Sequence, residues 1–111
     1  MTGAQQGFFE TYMADPQIVS VTAAKTLGVT EQCVRAVITT GAFTIKLPNV
    51  SEARGRWYSI RAAVSGGGAI TLSDNATESE DWANKTLDAD GDGIFLVSDG
   101  KRWIVLESDI A

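Results

Sequence analysis

Acidic residues supply most of the chemistry this chain could perform. Asp88, Asp90 and Asp92 alternate along the sequence, Gly93 follows and Asp99 lies further on. Acids at loop positions 1, 3 and 5, a glycine at 6 and a carboxylate at 12 match much of the template of a calcium loop. The flanks do not match, because an EF-hand has a helix on each side, whereas Ile94 to Ser98 has the composition of a strand. Asp and Gly are also ordinary turn residues. The reading favoured by context is a polar turn with no resident metal, and Asp88, Asp90 and Asp92 stand as the alternative cation loop. A second acidic cluster, Glu78, Glu80 and Asp81, lies beside Trp82. Two carboxylates about 5 to 10 Å apart could hydrolyse a glycoside, but acids in a polar loop are more simply solvated. Trp57, Trp82 and Trp103 could serve as sugar platforms, yet aromatic rings also dominate cores and subunit interfaces.

The composition excludes other classes. The chain has 111 residues, no histidine and one cysteine. Without imidazole there is no Ser-His-Asp or Cys-His nucleophile and no His-ligated zinc or haem. Cys33 has no second cysteine with which to form an intrachain disulfide, so the fold must hold by its core or by association. Nine Lys and Arg face fourteen Asp and Glu, a net charge of −5, and the basic residues are scattered. That balance repels a phosphate backbone, so no nucleic-acid partner is expected. No apolar run approaches the roughly 20 residues of a membrane helix, and residues 1–14 lack the pattern of a signal peptide. No membrane partner and no cofactor are expected.

The elements that position these residues have a period of two. Phe43, Ile45 and Leu47 alternate with Ala42, Thr44 and Lys46, and Tyr58, Ile60, Ala62 and Val64 alternate with Trp57, Ser59, Arg61 and Ala63. Each run predicts a strand with one buried face. Further strands are predicted over Ile18 to Thr22, Cys33 to Thr39, Ala69 to Ser73, Ile94 to Ser98 and Lys101 to Glu107, and a turn near Val50 to Ala53. Ser65-Gly66-Gly67-Gly68 predicts a hairpin connection, and Asp99-Gly100 predicts a two-residue type I′ turn that sets Leu96 against Trp103 and Ile94 against Val105. The expected fold is all-β: a small antiparallel β-sandwich or barrel of jelly-roll type over residues 21–111. Residues 1–20 read as an extended N-terminal arm. Within it Phe8, Phe9, Tyr12 and Met13 cluster on one side of a helical turn or two before Asp15-Pro16, suited to packing on the domain or docking into a partner.

From Ala42 through Leu47-Pro48, Ala53, Gly55 and Tyr58-Ser-Ile60-Arg-Ala62, the chain resembles a module of tailed-bacteriophage structural proteins. These are head-decoration (cement), head-fibre and tail-fibre proteins. The stretches Thr86 to Asp92 and Ser98 to Trp103 resemble the same module's terminal hairpin, so the resemblance covers residues 42–106. Trp57 beside the usual tyrosine, and the long acidic stretch from Asp74 to Asp81, depart from its pattern. The resemblance implies a non-enzymatic virion protein assembled as a homotrimer, with Pro48 and Gly55 shaping a loop, Tyr58 and Ile60 lining the core, and Asp99, Gly100 and Trp103 forming the last hairpin. A chain this short fits a capsid decoration protein better than a fibre. It would be made in the host cytoplasm and would bind the outer capsid surface, with the major capsid protein and its own copies as partners. The candidate contacts are then Phe8, Phe9, Tyr12 and Met13 on the capsid, and Trp57 and Trp103 between subunits. The alternative is a fibre or receptor- and glycan-binding module.

Overall fold

The alternation seen in the sequence becomes burial in the structure. In a computed structural model, which describes residues 18–74 and 82–110, the strand Trp57–Val64 buries Tyr58, Ile60, Ala62 and Val64 and turns Trp57 and Arg61 to solvent. Side chains on a pleated strand point alternately to opposite faces, so one apolar set can enter a core while the other stays wet. The described residues form nine strands and no helix: β1 (Ile18–Val21), β2 (Lys25–Thr26), β3 (Cys33–Ile38), β4 (Ala42–Lys46), β5 (Trp57–Val64), β6 (Ala69–Ser73), β7 (Lys85–Leu87), β8 (Gly93–Ser98) and β9 (Trp103–Asp109). Residues 18–20, read as the end of the arm, pair with β3 as part of β1. The short strands β2 and β7 carry too few residues for a period to show in the sequence.

Two open sheets share one core. The first has the order β1-β3-β5-β8-β9 and the second β2-β4-β6-β7. Val34, Ala36, Tyr58, Ile60, Ile94 and Leu96 from the first meet Ile45, Ile70, Leu72 and Leu87 from the second in a single buried cluster. The domain is therefore all-β and sandwich-like, not a closed barrel.

The expected antiparallel, jelly-roll arrangement is corrected. From β1 to β6 the chain changes sheet at every connection, so β1, β3 and β5 lie parallel, and so do β2, β4 and β6. Antiparallel pairing is confined to β5–β8, β6–β7 and β8–β9. The chain winds in flat coils before the last strands fold back. Ser65 to Gly68 accordingly forms a corner between sheets instead of a hairpin. It stacks on the preceding corner, where Ser65 N–H donates to Ile38 C=O at 3.0 Å and Ala69 N–H to Gly41 C=O at 3.0 Å. Gly66 has φ of +75°, and a Cβ there would strike the Thr39 carbonyl oxygen. Only glycine meets both demands.

The last hairpin also differs from expectation. Ser98 pairs with Trp103, Val97 with Ile104 and Leu96 with Val105, so the connection spans residues 99–102. Asp99 Oδ1 accepts the N–H groups of Lys101 at 2.8 Å and Arg102 at 2.7 Å, and Asp99 N–H donates to Arg102 C=O at 3.1 Å. This capping satisfies a longer loop that the Asp-Gly pair alone does not reveal. A bulge then shifts the register, leaving Phe95 opposite Glu107, Ile94 opposite Ser108 and Gly93 opposite Asp109.

Candidate functional site

The aspartate loop is organised around its own backbone. Asp92 is buried, and its Oδ2 accepts N–H groups from Asp88 at 3.1 Å and Ala89 at 3.0 Å. Asp90 Oδ1 accepts the Val64 N–H at 3.1 Å, tying the loop to the end of β5. Asp88 is exposed. Two of the three carboxylates are thus engaged by amides, as expected of a turn. Among the described residues, no group of three or more acidic or cysteine side chains converges on a point that could hold a metal ion.

The tryptophans separate. Trp103 is 6% exposed and packs edge-on against Tyr58, with ring centroids 5.3 Å apart and an interplanar angle of 78°. It is a core residue of this chain, and no described hydrogen-bond partner reaches its Nε1. Trp57 is 48% exposed. Trp82 is half-buried, its Nε1–H donates to Asn84 Oδ1 at 2.9 Å, and the Lys85 ammonium lies 5.9 Å from its ring centroid. Glu78, Glu80 and Asp81 lie outside the described residues, as do Phe8, Phe9, Tyr12 and Met13.

Trp57 belongs to an apolar surface on the outer face of the first sheet. Its ring meets Phe95 edge-on at 5.9 Å and 65°. Strand register extends the surface: Trp57, Val97 and Ile104 form one row across β5, β8 and β9, while Ile18, Cys33, Ser59 and Phe95 form another across β1, β3, β5 and β8. Ile18, Trp57, Phe95 and Ile104 all expose more than a third of their surface. Arg61 borders the apolar rows; its Nη1 lies 3.0 Å from Gly91 C=O and 3.5 Å from Asp109 Oδ2. A shallow hollow of about 250 Å³ lies on the same face, lined by Ile18, Cys33, Arg35, Ser59, Arg61 and Ala63. An apolar centre with a charged rim is the anatomy of a protein contact.

Sequence reasoning finds Trp57 in this surface and misses Phe95, Ile104 and Ile18. The signal was available for Phe95, which alternates with the buried pair Ile94 and Leu96. Ile104-Val105-Leu106 gives none, because consecutive apolar residues do not identify an outer face. The hollow brings together no acid–base pair, and its titratable side chains are Cys33, Arg35 and Arg61. The arrangement is suited to burying apolar area against another macromolecule. In comparisons with known protein families, characterised proteins and solved structures, the chain matches none of them.

Proposed function

We propose that this chain is a non-enzymatic structural protein that works by association, and specifically a capsid decoration protein of a tailed bacteriophage that binds the outer shell and bridges its subunits. The observation that carries association is the exposed Trp57–Phe95 pair, continued by Val97 and Ile104 across the outer sheet face. The phage assignment rests on the resemblance over residues 42–106. Burying such a surface contributes about 25 cal/mol per Å² of apolar area before ordering costs, and repetition over a shell multiplies the effect through avidity. The arm residues Phe8, Phe9, Tyr12 and Met13 supply further contacts in this proposal.

Mixing the purified protein with undecorated capsids tests it. Stoichiometric binding is expected, and Trp57→Ala should weaken it by about tenfold or more, the usual cost of removing a central aromatic anchor. No binding to any shell, together with binding to glycans through the exposed Trp57 ring, would establish the fibre or glycan-binding reading instead.

A further inference from the structure

We infer that two copies of this chain associate through β9, strand against antiparallel strand, to make one continuous sheet across a two-fold axis. β9 is the last strand of the first sheet, and among the described residues nothing pairs with its outer side. A seven-residue edge leaves a row of backbone N–H and C=O groups open to another strand. Its side chains increase that exposure. Ile104 and Val105 are exposed by more than a third, and Leu106 is 56% exposed, giving three consecutive apolar residues on an open edge.

The charge order along this segment identifies the occupant. It reads Lys101-Arg102, then Trp103-Ile104-Val105-Leu106, then Glu107-Ser108-Asp109: basic, apolar, acidic. Two such segments laid antiparallel bring the basic end of each towards the acidic end of the other and set Val105 and Leu106 of the two copies together at the centre. Laid parallel, they would set like charges side by side, which is destabilising across a strand pair. The sequence is thus complementary to itself in one direction only, as a two-fold contact requires. Facing is consistent as well. Ile104, Glu107 and Asp109 share the outer face, and Trp103, Val105 and Ser108 share the inner one, because the bulge leaves Leu106 as the extra residue. With the axis between Val105 and Leu106, Ile104 lies opposite Glu107 of the other copy, outer against outer, and Trp103 opposite its Ser108, inner against inner; Arg102, at the end of the connection before β9, then comes beside the other copy's Asp109. Terminal charges and bulges normally discourage strand addition; here they restrict it to a strand of the same sequence.

This inference does not depend on the capsid reading, and its measurement is separate from shell binding. Light scattering on the purified full chain, over a dilution series, should give twice the monomer mass at high concentration. Leu106→Lys, at a site where the side chain already meets solvent, should give monomers with an unchanged far-ultraviolet spectrum. An acidic variant, Lys101→Glu with Arg102→Glu, and a basic variant, Glu107→Lys with Asp109→Lys, should each be monomeric alone and form a one-to-one pair when mixed. A monomer at every concentration, a trimer of the kind the resemblance implies, a dimer indifferent to Leu106→Lys, or failure of the two charge variants to pair would overturn the inference.

Discussion

Tyr58 shows how much a single residue does in this fold. Its ring is buried against Trp103, and its hydroxyl donates to the Val29 carbonyl at 2.6 Å, joining β5 to the connection before β3. Burial pushes the phenol above its ordinary pKa and outweighs the Arg56 charge, which pulls the other way. A proton held more tightly in the folded state favours folding below the unfolded pKa of about 10, and that contribution is lost as pH rises through the higher folded value. Tyr58→Phe should lower stability at neutral pH by about 1 kcal/mol and flatten the alkaline limb of a stability–pH curve measured by urea unfolding. Ser98 is a second such residue. It is buried; its Oγ donates to Val50 C=O at 2.5 Å and accepts Gly100 N–H at 3.0 Å, while its C=O accepts Gly55 N–H at 2.8 Å. Ser98→Ala should cost about 1 to 3 kcal/mol, because it leaves a buried carbonyl without its donor, and a shift of the urea midpoint would show it. Tyr58 is legible in the sequence because its neighbours alternate. Ser98 is not, because a serine at the end of a strand looks the same whether it caps a loop or faces water.

At the scale of elements, the strands are legible and their partners are not. β3, β5, β6 and β8 fall within a residue of the spans that composition and alternation predict, since each needs one apolar face. The side chains do not specify parallel pairing, because β5 would show the same alternation beside either neighbour. Unequal connections also conceal the winding, as the step from Ile18 to its partner Cys33 is much shorter than that from Cys33 to Ser59. The two aspartate turns are legible as turns, and they make opposite demands on a test. Asp99 is held below the ordinary carboxylate pKa, first by the Lys101 and Arg102 amides. Its contribution is therefore present above the unfolded pKa and is lost as pH falls through the lower folded value. Asp99→Ala should lower the melting temperature at pH 7 and by less at pH 2. For residues 88–92 the prediction concerns metal. If Asp92 closes a turn on amides, EDTA or added calcium should leave the melting temperature unchanged, because a ligand stabilises only when it binds the native state. Asp92→Ala should still lower that temperature, by freeing the Asp88 and Ala89 amides.

For the molecule as a whole, the alternation of sheets has a consequence for cooperativity. Had each sheet come from one half of the chain, either could form and melt with some independence. Here β1, β3 and β5 are interleaved in sequence with β2, β4 and β6, so neither sheet can pair without laying down segments of the other. Their apolar faces also belong to one buried cluster. Unfolding should therefore be a single transition. Ile60 on β5 and Leu72 on β6 lie in different sheets and are fully buried, and truncating either to alanine should cost about 2 to 5 kcal/mol through lost burial and the cavity left behind. Each substitution should move the same transition, with Trp fluorescence in a Trp82→Phe background, where the remaining Trp57 and Trp103 both lie in the first sheet, coinciding with far-ultraviolet circular dichroism, which reports on both. Two separated transitions in Leu72→Ala, with fluorescence lagging the circular dichroism, would show the second sheet melting alone and would refute the single core. The same winding makes pairing non-local, and closing long loops before contacts form slows folding. Refolding followed by Trp fluorescence should accordingly take milliseconds to seconds. Ile60→Ala and Leu72→Ala should both slow it if the two sheets assemble around their shared core, whereas a refolding rate sensitive to only one of them would place that sheet first.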